Sequence, residues 1–234
     1  MTEISYLGNE LYLFQYADNW KKYYRNFINP YIKGKVLEVG AGIGSTTSHL
    51  CNGNHEQWLC LEPDPTLYTE LKHKIDAKKL PACCKSKNGV SADIDATEKY
   101  DTILYIDVIE HIEEDRKELA HAITHLNTNG HLIVLVPAHQ LLFNQFDKAI
   151  GHYRRYNKKR LLSAAPGDLH LQKLFYLDSA GLFASMMNKY FLKQDYPTMK
   201  QINLWNRVMV PISKITDRIV NYTFGKSLVG VWKK

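Results

Sequence analysis

Apolar positions along the chain follow two periods, one of helices and one of buried strands. Leu11, Phe14, Tyr16, Trp20, Tyr23, Tyr24, Phe27 and Tyr31 recur at helical spacing around Pro30. They predict an amphipathic N-terminal helix packed over a sheet edge. Lys35–Val39 then reads as a short strand, broken by Gly40-Ala41-Gly42-Ile43-Gly44 and followed by helical Ser45–Leu50. Trp58–Leu61 is a second apolar run, and Pro63-Asp64-Pro65 opens a helix through Leu71 and Ile75. A third strand is expected near Cys83–Lys87, a fourth at Tyr100–Ile106 and a fifth at His131–Val136. Between the last two, Glu113–Leu126 reads as a helix stopped by Asn129-Gly130. Beyond them the pattern predicts a basic helix at Asn157–Ala165, a strand at Leu169–Leu177 and a final strand at Ser227–Trp232.

Strands alternating with helices predict an α/β fold around a doubly wound, mostly parallel sheet. The length suits one domain, residues 1–234. Within it we expect an N-terminal helical cap (1–34), a core (35–138) and a substrate-side segment (139–234). Asp178–Gly225 enters that last segment as a helical insertion, with one apolar stripe at Leu182, Phe183, Met186, Met187 and Tyr190. A second stripe runs through Leu204, Val208, Ile212, Ile215 and Ile219.

A G-x-G-x-G turn directly after a strand lets the backbone approach a ligand, and the helix behind it offers free N–H groups. Glu62 ends the next strand, where a carboxylate can accept hydrogen bonds from both hydroxyls of a ribose. Together these imply a nucleotide-like ligand. A nicotinamide dehydrogenase shares the pattern, but its G-x-G-x-x-G fingerprint would need glycine at Ser45.

The chain resembles the class I S-adenosylmethionine-dependent methyltransferases in four places. These are Val36–Gly44, Leu61-Glu62-Pro63-Asp64, Tyr100–Ile103 with Asp107-Val108-Ile109-Glu110-His111-Ile112, and Gly130–Pro137. The resemblance implies a Rossmann-like seven-stranded sheet and S-adenosylmethionine as cofactor. By it, Glu38, Gly40, Ala41, Gly42 and Gly44 hold the methionine part, Glu62 with Pro63 the ribose, and the backbone near Gly89 and Val90 the adenine, with Asp93 a further contact. Asp107 is expected to face the methionine group. A less specific resemblance, to a bacterial small-molecule subgroup (methyltransferase type 11/12-like), covers Phe146–Tyr156, expected near the substrate crevice. There Arg154 and Arg155 could clamp an anion, and His152 or Tyr153 could line the acceptor.

Methyl transfer from a sulfonium demands positioning rather than a metal. Where the acceptor must lose a proton, His111, His139 and His152 are the candidate bases, with His111, His152 and Tyr153 the catalytic set. A small-molecule acceptor, anionic or lipid-linked, is the expectation. The alternatives are an RNA-directed methyltransferase and a cofactor-binding protein without turnover. No DNA partner is expected, because no Asn/Asp-Pro-Pro-aromatic tetrapeptide follows the fourth strand.

Charge sharpens this picture. Residues 1–150 hold 15 Lys/Arg against 20 Asp/Glu, whereas residues 151–234 hold 15 against 4. A basic C-terminal third favours an anionic substrate, an acidic lipid surface or nucleic acid nearby. The insertion is expected to cover a substrate in preference to lying on a membrane as a peripheral contact. No run approaches the roughly 20 apolar residues of a membrane span, and the N-terminus lacks the pattern of a secretion signal. A cytoplasmic protein is the expectation. Cys51, Cys60, Cys83 and Cys84 have neither zinc-site spacing nor disulfide-framework density and read as reduced thiols.

Overall fold

Leu- and Val-rich strands buried on both faces form the centre of the molecule, because helices cover the sheet from either side. The computed structural model describes residues 10–192 and 196–234. The first nine residues of the expected N-terminal cap, and residues 193–195 of the insertion, lie outside the described residues. The chain opens with α1 (Glu10–Phe14) and α2 (Asp18–Ile28), then β1 (Lys35–Val39), α3 (Thr47–Leu50), β2 (Gln57–Glu62), α4 (Pro65–Asp76) and β3 (Cys84–Asn88). Next come β4 (Tyr100–Ile106), α5 (Asp115–Ala122), β5 (Leu126–Pro137), α6 (Gln145–Ala149), α7 (Lys158–Ala164) and β6 (His170–Leu177). The insertion supplies α8 (Ser179–Met187), α9 (Met199–Leu204) and α10 (Val210–Ile219), and β7 (Ser227–Lys233) follows it.

The sheet has seven strands in the order β3-β2-β1-β4-β5-β7-β6. The first five are parallel, and β7 runs antiparallel between β5 and β6. Chain order reverses between β1 and β4, so a crevice opens at the carboxyl ends of these strands. Leu119, Ala122, Leu161 and Ala164 bring α5 and α7 into the apolar cluster on one face. On the other face, Tyr24 and Ile28 of α2 share a cluster with Val36, Leu104, Ile133 and Val231.

That second cluster corrects the N-terminal expectation. The helix lies over the face of the sheet, not its edge, and it is two helices. Lys21 Nζ donates to the Phe14 and Gln15 carbonyls at 2.7 and 3.1 Å, satisfying acceptors that the break between α1 and α2 leaves open. The expected helix at 113–126 also ends sooner, because β5 begins at Leu126 and runs through Asn129-Gly130. Asn129, at φ 66°, bends that strand where a helix stop is expected.

The insertion's last two helices form one continuous rod. Between α9 and α10 the turn Trp205–Met209 is wide, and the Val210 N–H reaches the Trp205 carbonyl. Pro211 follows immediately and has no N–H of its own, so the wider turn accommodates the bond it cannot make.

Candidate active site

Where β1 ends, Gly40, Gly42 and Gly44 all have positive φ, at 68°, 54° and 75°. A Cβ on Gly40 would lie 2.6 Å from Val108 Cγ2, so only glycine fits there. The Gly42 N–H donates to Glu62 Oε2 at 2.7 Å, and the Asp64 N–H to Glu62 Oε1 at 3.0 Å. Burial pushes the Glu62 carboxyl up, and these two N–H groups oppose the shift. Beside it, the Gly89 N–H donates to the Glu62 carbonyl, Asn88 Nδ2 to the Pro63 carbonyl, and the Val90 N–H to Asp93 Oδ2. Glu62, Pro63, Gly89 and Val90 thus form one shelf at the ends of β2 and β3.

Glu38 lies beneath the turn. Its Oε2 accepts from Thr47 Oγ1 and Trp58 Nε1, both at 2.7 Å, yet burial still pushes the carboxyl up to about 7. It is not among the cavity's lining residues and ties β1 to α3 and β2.

A cavity of about 670 Å³ occupies the crevice. Gly40, Ala41 and Asp107 line it from the sheet, Phe14 and Tyr24 from the N-terminal helices, and Trp205 from the insertion. Asp107 has a positive φ of 54°, held by its N–H donating to the Leu135 carbonyl at 2.8 Å. This strained turn at the end of β4 aims its carboxylate into the space. Water reaches Asp107 through the cavity, while protein crowds it elsewhere and pushes its carboxyl up to about 7. Two lysines that the sequence did not single out share the cavity. Burial lowers Lys21 to about 8 and lowers Lys226 as well. Lys226 Nζ sits 5.3 Å from the Trp205 ring centre. No local motif marks Lys226; its place just before β7 is the only signal.

One end of the cavity is polar, and two distant loops build it. Glu110 and His111 follow β4, whereas Asp147 is in α6 and His152 and Arg155 follow that helix. His152 Nδ1 lies 2.8 Å from Asp147 Oδ1, and Arg155 forks onto both oxygens of the same carboxylate. Burial alone would raise Asp147; its bonds to His152 and the Arg155 charge outweigh that and hold it low. His152 Nε2 is left 3.9 Å from Glu110 Oε1. Glu110 is fully buried, and neither carboxylate oxygen has a hydrogen-bond partner on another residue. Burial pushes its carboxyl well up, which disfavours the charged form. Burial likewise lowers His111 to about 3, although its ring bonds the Ile150 backbone.

Gly42, Gly44, Glu62, Pro63, Gly89 and Val90, like Glu38, are not among the cavity's lining residues, and Tyr153, Arg154 and His139 stand apart from its polar end. Tyr153, next to His152, is 52% exposed, lies against the Arg154 guanidinium and is not among this cavity's lining residues. Arg154 binds Asp115 at 3.0 Å and the Glu113 carbonyl at 2.7 Å, which corrects its role as an anion clamp. His139 stacks on Tyr176 and bonds the Gly225 carbonyl, outside the cavity lining.

Among the described residues, two groups bring three ligand-capable side chains within 4.8 Å of one another: Glu110, His111 and His152, and Cys51, Cys83 and Cys84. Cys51 Sγ lies 3.4 Å from Cys83 Sγ and 3.7 Å from Cys84 Sγ. All four cysteines are free thiols.

Residues 37–132 match the family model described as a methyltransferase domain. No curated protein matches the chain. Coclaurine N-methyltransferase bound to N-methylheliamine and SAH is similar in structure, at TM-score 0.61 and 14% identity over 92% of this chain and 72% of that one. The [4+2]-cyclase SpnF gives TM-score 0.61 and 11% identity over 91% and 81%. A putative sarcosine dimethylglycine methyltransferase from Galdieria sulphuraria gives 0.60 and 15% over 93% and 84%.

Proposed function

We propose that this chain, whose residues 37–132 match a methyltransferase-domain model, is a class I S-adenosylmethionine-dependent methyltransferase that transfers a methyl group to a small amphipathic acceptor through a hydroxyl or amine. The observation that carries this reading is the Asp147–His152 pair aimed into the cavity that Gly40, Ala41 and Asp107 also line. Positive-φ glycines at a strand end leave the close backbone approach that a nucleoside cofactor needs; Asp107 supplies a carboxylate to the cavity, and Glu62 stands behind the turn through Gly42. When bound, S-adenosylmethionine supplies a methyl group already activated by its sulfonium.

The protein's own residues then orient the acceptor and move its proton. His152 donates from Nδ1 to Asp147, which leaves the Nε2 lone pair facing the cavity as the base. Arg155 neutralises Asp147 and keeps that hydrogen bond oriented. His111 is uncharged and burial disfavours charge on Glu110, so both suit hydrogen bonding beside the transfer path. Apolar walls from Phe14, Ile106, Phe143, Phe146 and Trp205 suit an apolar acceptor body. Lys226 suits an anionic group on that acceptor.

Calorimetric titration with S-adenosylmethionine and, separately, NAD tests the cofactor, using wild type and Glu62→Ala. Micromolar binding of S-adenosylmethionine that the variant loses is expected. Preference for NAD, or no binding by either, would overturn the assignment. Labelled-methyl transfer to a panel of amphipathic alcohols and amines separates an enzyme from a silent binder.

A further inference from the structure

We infer that the outer face of the insertion docks on an anionic lipid bilayer. Leu204, Val208, Ile212, Ile215 and Ile219 follow one another at intervals of four, four, three and four residues, one side of the α9–α10 rod. In a surface helix of a soluble domain such a stripe faces the core. Here all five are exposed, Ile215 at 66% and Ile219 at 76%. The opposite side carries Asn206, Ser213 and Asp217, which are buried and hydrogen-bonded to the body of the protein. Ile202 and Val210 are buried on that inner side too, so the rod is apolar on both sides, and the polar anchors fix which stripe faces out. Packed alongside α10, α8 exposes Phe183 at 67%, together with Met186 and Met187.

Charge selects the occupant. Lys189, Lys200, Arg207 and Arg218 are exposed on this segment and Lys214 is half-exposed. Of residues 179–225, the one acidic residue among those described is Asp217, which is buried. Apolar side chains ringed by cations suit an interface of acyl chains and anionic headgroups. A second copy of this chain would set cations against cations. No helix among the described residues is long and apolar enough to cross a membrane, so the contact is peripheral. Leu204, Lys189 and Tyr196 are exposed and also line the cavity, so its mouth opens on this face. A lipid-borne acceptor could enter without leaving the interface. Docking itself does not depend on the methyl-transfer reading.

Co-sedimentation of the full chain with phosphatidylcholine vesicles, with and without phosphatidylglycerol, tests this. The variants are Ile215→Ser/Ile219→Ser and Arg207→Gln/Arg218→Gln, each checked for fold by circular dichroism. We expect binding to the anionic vesicles that weakens with salt. The isoleucine pair should abolish it, and the arginine pair should weaken it about fivefold per charge, on the order of thirtyfold together. No sedimentation, or sedimentation unchanged in folded variants, would overturn the proposal. So would a dimer in sedimentation velocity that the isoleucine pair dissolves while vesicles bind neither form.

Discussion

The Tyr23 hydroxyl donates to Asp217 Oδ2 at 2.9 Å across 194 residues of sequence, joining α2 to the inner side of α10. The same carboxylate accepts the Asp178 and Ser179 N–H groups at 2.7 and 2.8 Å. Asp178, at φ 68°, in turn accepts from Ser213 Oγ and Trp205 Nε1, both at 2.7 Å. One buried polar knot thereby holds the insertion against the N-terminal helices. Tyr23→Phe removes a single bond to a charged group and should cost about 1.5–3 kcal/mol. Asp217→Ala leaves three buried donors unpaired and should cost more. At about 2–4 °C per kcal/mol for a chain of this size, thermal unfolding resolves both. Equal melting temperatures for the two variants would contradict the knot.

What the sequence discloses about this architecture follows the range of the interactions. The β1 turn and Glu62 are legible because each is a local pattern at a strand end, and the structure brings them together through one hydrogen bond. The polar end of the cavity is different, since Glu110 and His152 come from loops roughly 40 residues apart and meet only by tertiary packing. His152 and Tyr153 are adjacent and the loop has no period, so nothing local separates the inward side chain from the outward one. In the insertion, apolar spacing correctly marks one face of a helix at Leu204–Ile219. It does not state what covers that face, and the buried Asn206, Ser213 and Asp217 turn it outward.

His152→Ala should reduce methyl transfer by about 10²–10⁴-fold while leaving cofactor affinity unchanged. Added imidazole should restore part of the rate, an outcome that a merely structural histidine would not give. Asp147→Asn should fail differently, because it leaves the buried Arg155 guanidinium without its counter-charge, at about 3–5 kcal/mol. Asp147 is held below the usual carboxylate range, so the stability it contributes is complete above about pH 4 and is lost as pH falls through its folded value. The Asn variant should therefore show a shallower loss of stability in acid.

Glu110→Gln tests whether that residue acts as a neutral group. Burial pushes its carboxyl well up, and the amide copies the shape and donor of a neutral carboxyl. Turnover should stay within about threefold of wild type, against roughly a hundredfold or greater loss at His152. A loss at Glu110 as large as that at His152 would mean that it works as a carboxylate, or as a ligand with His111 and His152 to a cation. Activity regained on adding a divalent metal would identify the second case.

Asp107 links cofactor affinity to pH. Crowding pushes its carboxyl up to about 7 in the cofactor-free protein, so the charged form is disfavoured there. For folding, that contribution is fully present below the unfolded value of about 4 and is lost as pH rises through about 7. Binding has the opposite sign, because a cationic sulfonium compound favours ionised Asp107 and binding expels its proton. Affinity for S-adenosylmethionine should thus weaken by about tenfold between pH 8 and pH 6, one pH unit past the titration. Calorimetry in buffers of different ionisation enthalpy should register proton release near pH 6.5. Asp107→Asn should bind more weakly and flatten the profile. A wild-type affinity independent of pH, with no proton released, would remove Asp107 from the cofactor site.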